Sequence, residues 1–452
     1  MRAAFAILVV LVAGCLAPVE TIAPAAPVPS LDDVLPIVQD HDHSDAALHE
    51  GIAGFELVGW HNGFSDDGTW PTEGGSVNEL AMHGTHAFLA RSGPQGGFVV
   101  LDVSDPAAIT KIGAFDGEGT ADIDLSFDGL WAFASTQRTV PAAGALVSSP
   151  LAHTPRGVYV VDVSDPSAPR LESFHPLPIN GPHTATYAEI DGKAYVVLQT
   201  YDLLNQPAAG VFGALGATQR IWITEFVSDN GRMVLRPVAV YAIPALGVAG
   251  EVFPHDSSID QHPDGRWIMS VAYWDGGLRL VDVSDPRSPK EVSAFTDFHP
   301  STEVNLHDVK PFPVLIGGRH VTVTGPELPT SPEDGQLTFV DTTDAAKPAW
   351  LGHWSLPGDN VVDVPFLYSP HVFVTTETGM VYIGHNHGGV WAIDASDPAS
   401  PRTAGYFFPN HAREAWGGPI PSTWGVRSHD GLVYATDTAT GLYALRPRHV
   451  PS

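Results

Sequence analysis

A chain of 452 residues with 44% hydrophobic residues can bury a large core, and length alone suggests two or three domains. Acidic residues outnumber basic ones 51 to 22, leaving a formal charge of -29, and only five of the basic residues are lysines. Nucleic acid is excluded as a partner and an anionic membrane surface is disfavoured, since both demand clustered cations; the surplus acid reads as a solvated surface and identifies no function.

In chain order, Met1 to Gly14 holds one arginine and an apolar run from Ala3 to Val12. The sequence Leu11-Val12-Ala13-Gly14-Cys15 then resembles the lipobox of a bacterial or archaeal lipoprotein signal. The run is too short to span a bilayer, and no later apolar stretch is long enough to do so. Residues 1–15 are therefore expected to direct export, with cleavage before Cys15 and lipid at its sulfur anchoring the chain to the outer face of the cell membrane. Cys15 is the sole cysteine, so no disulfide forms within the chain. Residues 16–54 read as a Pro/Ala-rich tether leading into a His/Asp-rich run, Asp40-His41-Asp42-His43-Ser44-Asp45, which has a metal-like composition of its own.

From residue 55 to 447 one pattern recurs. Its clearest copy is Gly276-Gly277-Leu278-Arg279-Leu280-Val281-Asp282-Val283-Ser284-Asp285-Pro286, with others at Gly97 to Pro106, Gly157 to Pro169, Gly335 to Pro348 and Gly389 to Pro401. Degenerate copies lie at Ile221 to Phe226 and Gly441 to Leu445. Equivalent positions (Asp102, Asp162, Glu225, Asp282, Asp341, Asp394, Arg446) are 52 to 63 residues apart, giving seven units. Each copy reads as a strand with its exit turn, because aspartate accepts backbone N–H groups two residues on and proline fixes φ. The unit around residue 278 divides into four strands: His255 to Asp260, Arg266 to Trp274, Gly277 to Val283 and Lys290 to Phe295. Seven units of four short antiparallel strands, with helical periods nearly absent, predict an all-β, seven-bladed β-propeller. The last unit lacks a fourth strand, and Phe55 to Trp60 is predicted to supply it and close the ring, removing the exposed sheet edges.

The repeats Gly157-Val158-Tyr159-Val160-Val161-Asp162-Val163-Ser164-Asp165-Pro166 and Gly277 to Pro286 resemble the LVIVD repeat of exported bacterial and archaeal proteins, which implies the propeller fold and no particular chemistry. A fainter likeness, carried by Tyr273-Trp274-Asp275-Gly276-Gly277-Leu278-Arg279, is to the selenium-binding protein and methanethiol oxidase family.

Histidine recurs at one structural position in four successive units: His183, His255, His307 and His371, each where a first strand begins. In a propeller that strand is innermost, so four imidazoles from adjacent blades are predicted to converge at one mouth of the channel. The second-to-third loop of unit six adds His385 and His387 on the same face. Imidazole nitrogen suits Fe, Cu or Zn, and such a cluster leaves positions open for water or substrate. Asp256, Asp308 or Glu303 are candidates to orient the rings as acceptors. Carotenoid oxygenases have a similar arrangement, a four-histidine iron site in a seven-bladed propeller. A Pro-His or His-Asp pair can also simply satisfy backbone groups at the channel mouth. Units one, two and seven carry Val77-Asn78, Ala121-Asp122 and Trp424-Gly425 there instead, so the blade does not require histidine. The expectation is a metal-dependent oxidase or hydrolase of a small molecule; the alternative is a non-catalytic surface propeller that binds protein or polysaccharide through long loops such as Arg138 to Pro155 and Tyr201 to Gln219. No serine elbow, H-E-x-x-H, P-loop or dinucleotide fingerprint is present.

Overall fold

A computed structural model of the chain describes residues 54–69, 71, 75–92, 96–120, 122–136, 156–177, 181–200, 220–243, 252–298, 304–329, 331, 334–356, 368–409 and 421–448. The expected signal, Cys15, the tether, His41 and His43, Glu303 and both long loops lie outside these residues.

The described strands form seven four-stranded antiparallel sheets. Blade one holds β2 (Ser76–His83), β3 (His86–Ser92), β4 (Gly97–Asp102) and β5 (Thr110–Phe115); blade two holds β6 (Asp122–Leu125), β7 (Trp131–Thr136), β8 (Gly157–Asp162) and β9 (Arg170–Pro176). Blade three is β10 (Thr184–Ile190), β11 (Lys193–Thr200), β12 (Arg220–Asp229) and β13 (Arg232–Tyr241); blade four is β14 (Asp256–Gln261), β15 (Trp267–Ala272), β16 (Leu278–Asp282) and β17 (Lys290–Phe295). Blade five comprises β18 (Leu306–Pro311), β19 (Val321–Pro326), β20 (Leu337–Asp341) and β21 (Ala349–Trp354); blade six comprises β22 (Val372–Thr375), β23 (Met380–His385), β24 (Gly389–Asp394) and β25 (Arg402–Phe407). Blade seven joins β26 (Thr423–His429), β27 (Leu432–Asp437) and β28 (Gly441–Pro447) to β1 (Phe55–His61) from the start of the propeller.

Closure is therefore as the repeat count requires. β1 pairs antiparallel with β28 from Phe55 opposite Pro447 to His61 opposite Leu442. The seam between blades seven and one has its own core, with Val77, Leu80 and Leu89 against Tyr434, Leu442 and Ala444. Each of the other six interfaces likewise has one core cluster. Because neighbouring blades cover both faces of every sheet, β4 and β24 are buried at every residue except the final aspartate. The outer strands β9 and β17 begin with exposed residues instead.

The exit turns work as their sequence suggests. Asp102, Asp162, Asp282, Asp341 and Asp394 each accept the backbone N–H two residues on, at 2.8 to 3.0 Å. Their carboxylates are thus committed to the turn. In all seven blades the pairing of the third strand with the fourth carries a bulge. Several fourth strands also present a glycine to the next blade's turn: an added Cβ would lie 2.3 Å from the Pro166 oxygen at Gly113 and 2.6 Å from the Pro398 oxygen at Gly352. Gly113→Ala is expected to destabilise the fold by ~1–3 kcal/mol through overpacking between blades one and two. A urea denaturation midpoint equal to the parent's would refute this.

Candidate metal centre

The positions of the histidines follow from strand pairing. The N–H groups of His183 and His255 donate to the carbonyls of Gln199 (2.7 Å) and Ala272 (2.8 Å), the next-to-last and last residues of the second strands of their blades. Hydroxyls of the preceding blades hold the same backbone: Ser135 Oγ donates to the His183 carbonyl (2.8 Å) and Thr184 Oγ1 to the His255 carbonyl (3.0 Å). A bulge between Leu306 and Asp308 leaves His307 without a partner in the β18–β19 ladder. These constraints place the four rings in one arc. Ring centroids are 4.3 Å apart for His183 and His255, 4.2 Å for His255 and His307, and 4.0 Å for His307 and His371. Trp424 of blade seven continues the arc, stacked 4.7 Å from His371.

Two carboxylates that the sequence pattern did not single out meet this arc. Glu327 Oε2 lies 3.4 Å from His255 Nε2, and Glu79 Oε1 lies 4.0 Å from His371 Nδ1. Glu327 follows β19 in a second-to-third loop, the same class of loop that carries His387; His385, expected in that loop, is the last residue of β23. Asn305, two residues before His307, fixes that loop: its Oδ1 accepts the N–H groups of Glu327 and Leu328, both at 3.1 Å. One donor atom each from His255, His307 and Glu327 fall within 4.8 Å of one another. Among the described residues, His183, His371, His385 and His387 do not join that group.

Asp256 and Asp308 are engaged elsewhere. Asp308 Oδ1 accepts Lys310 Nζ at 2.6 Å and the Val309 N–H at 2.7 Å, and its Oδ2 accepts the Phe373 N–H at 3.2 Å. Asp256 Oδ1 accepts the Ser257 N–H at 2.6 Å, with its Oδ2 3.7 Å from Lys310 Nζ. Their acceptor capacity serves Lys310 and the backbone of the channel wall.

Burial governs the protonation of the site. It holds His183 and His307 well below the usual imidazole range, helped by neighbouring imidazoles, and lowers His371 to about 4 and His385 to about 3. Neutral imidazole is the ligating form. Burial works to raise Glu327, but the adjacent His255 outweighs it and keeps the carboxyl below its ordinary value. Nδ1 of His307 and Nδ1 of His371 are buried without a hydrogen-bond partner. Buried polar atoms in that condition call for a ligand, ion or ordered water.

Burial also pushes Glu79, beside His371, and Asp122 up to about 7. A carboxyl raised this way is protonated in the fold where the unfolded chain is ionised. Its stabilising contribution is full below the unfolded value near 4.5 and is lost as pH rises through 7. The metal-free protein should therefore lose stability as pH rises from about 4.5 to about 7, and Glu79→Gln should lose less, as read from urea midpoints at the two pH values. Equal losses in parent and variant would count against the assignment.

The sequence profile of the LVIVD repeat matches residues 74–117, 152–174, 270–297 and 378–407. These segments fall in blades one, two, four and six. None of the curated proteins matches the chain. Among solved structures, the β-propeller domain of Cps50 (Swd1) from Myceliophteria thermophila is similar at 10% identity and a TM-score of 0.51, over 82% of this chain and 96% of that one. The periplasmic gluconolactonase PpgL of Pseudomonas aeruginosa is similar at 13% identity and a TM-score of 0.49, over 73% and 84%. A functionally unknown protein from Desulfotomaculum acetoxidans is similar at 11% identity and a TM-score of 0.47, also over 73% and 84%. At such identities the likeness concerns the fold alone. Repeat profile, strand order and ring closure agree that the chain is a seven-bladed β-propeller carrying LVIVD repeats.

Proposed function

We propose that this chain is an exported metalloprotein, anchored to the outer face of the cell membrane by lipid at Cys15. In this reading it holds a transition-metal ion through His255, His307 and Glu327, with His183 and His371 flanking them. The observation that carries the reading is the approach of three donors within 4.8 Å, beside the buried Nδ1 atoms of His307 and His371 that lack partners. Two imidazoles and one carboxylate form the donor set of non-haem Fe(II) oxygenases and of His₂Glu zinc hydrolases, and the set leaves positions open for a small-molecule substrate. A bound ion supplies Lewis-acid or redox chemistry there. The protein contributes a neutral His307 imidazole, an ionised Glu327 and a site walled by Trp274 and Trp424. The motif ending at Cys15 supports the location.

Metal analysis of the purified, dialysed protein tests the proposal. About one Fe, Cu or Zn ion per chain supports it. Absence of stoichiometric metal, before and after incubation with these ions, favours a non-catalytic propeller that binds protein or polysaccharide through its loops.

A further inference from the structure

Four non-glycine residues among those described have positive φ: Asp191, Asn230, Asp430 and Trp274. The first three precede a glycine in tight hairpin turns, where an Asx side chain tolerates the left-handed region. Trp274, at φ 40°, has no such excuse, since for a bulky side chain this conformation is an outlier that its surroundings must enforce.

Both the ring and the backbone of Trp274 are committed to the candidate centre. The ring stacks on His255 at 5.6 Å and 27°, and on Phe253 at 4.5 Å and 26°. It is 6% exposed and forms a small apolar cluster with Phe253 and Leu328, the residue after Glu327. The Trp274 carbonyl accepts the Gly277 N–H at 3.1 Å and, across the blade boundary, the Leu306 N–H at 3.4 Å. That second bond forms an isolated antiparallel bridge to the residue preceding His307. One strained residue thus presses on the His255 ring with its side chain and holds the backbone beside His307 with its carbonyl. An ordinary right-handed φ would turn the carbonyl and the indole away from one or the other.

We infer that Trp274 is a positioning residue that sets the separation of His255 and His307 across the boundary between blades four and five. This inference rests on the metal reading of the same site. Co²⁺ serves as the probe, because its visible spectrum reports ligand geometry. Glycine adopts positive φ freely, so Trp274→Gly keeps the backbone path while deleting the ring. Trp274→Phe keeps a ring over His255. We expect Trp274→Gly to weaken Co²⁺ binding by ~10–100-fold, the loss typical of residues that orient metal ligands, and to shift the Co²⁺ absorption bands. Trp274→Phe should recover most of the affinity and the parent spectrum. A parent protein that takes up no Co²⁺ overturns both this inference and the metal reading. A parent that binds Co²⁺ while Trp274→Gly binds equally well, or while both variants lose affinity alike with an unchanged spectrum, overturns this inference alone.

Discussion

Alanine at both His255 and His307 is expected to leave the dialysed protein without bound transition metal where the parent keeps about one ion per chain. The variant removes two of the three donors that lie within 4.8 Å of one another, and Glu327 alone offers no chelate. The loss should exceed the ~10–100-fold that outer partners of a metal site carry. Glu327→Gln, which keeps the shape and removes the charge, should bind with intermediate strength. Misfolding is not the expected cause. His307 Nδ1 is buried without a hydrogen-bond partner, so its removal deletes a desolvation penalty as well as packing. Far-ultraviolet circular dichroism matching the parent, together with absent metal by mass spectrometry, is the predicted pair of results. Undiminished metal in the double variant would place the ion elsewhere.

Removing β1 should cost the protein its cooperative fold. A chain starting at Asn62 loses the pairing of β1 with β28 and the burial of Phe55 and Leu57, each 2% exposed. Two such side chains account for ~3–6 kcal/mol of apolar burial, a large share of the total stability of a domain. The larger effect is topological. Without β1, the outer edge of β28 is left open and available for pairing with other chains. Aggregation in size-exclusion chromatography and a lost or strongly lowered thermal transition are expected, whereas a chain starting at Gly54, which retains β1, should behave as the parent. A sharp transition at the parent temperature in the shorter chain would show that the ring does not depend on this strand.

Much of the architecture was legible along the chain because its causes are local. The turn at Asp282 is made by an aspartate and a backbone N–H two residues away, and the unit around residue 278 falls into strands within one or two residues of those its alternation predicts. Adjacent-strand pairing follows from the same short-range signals, and counting repeats supplies the number of blades. The missing fourth strand was legible for a related reason: a closed ring must pair its last blade with something, and Phe55 to Trp60 has the character of the other outer strands.

The candidate centre was legible only in part. Recurrence at strand starts pointed to His183, His255, His307 and His371, and ring symmetry pointed to their approach. Which carboxylates they meet did not follow. Asp256 and Asp308 adjoin histidines in sequence, yet successive strand residues project to opposite sides, and Lys310 claims both carboxylates. Glu327 arrives from a loop fixed by Asn305, Glu79 comes from blade one on the other side of the closed seam, and Trp274 acts through a backbone angle that no pattern of residue types encodes.

The sequence by itself determined the blade count, the strand order, the closing strand and the histidine positions, since each rests on contacts a few residues apart or on the period itself. Only the tertiary structure decided which side chains share one small volume, because that depends on how ring closure and bulges aim groups from separate blades, and on which charge reaches a given carboxylate first.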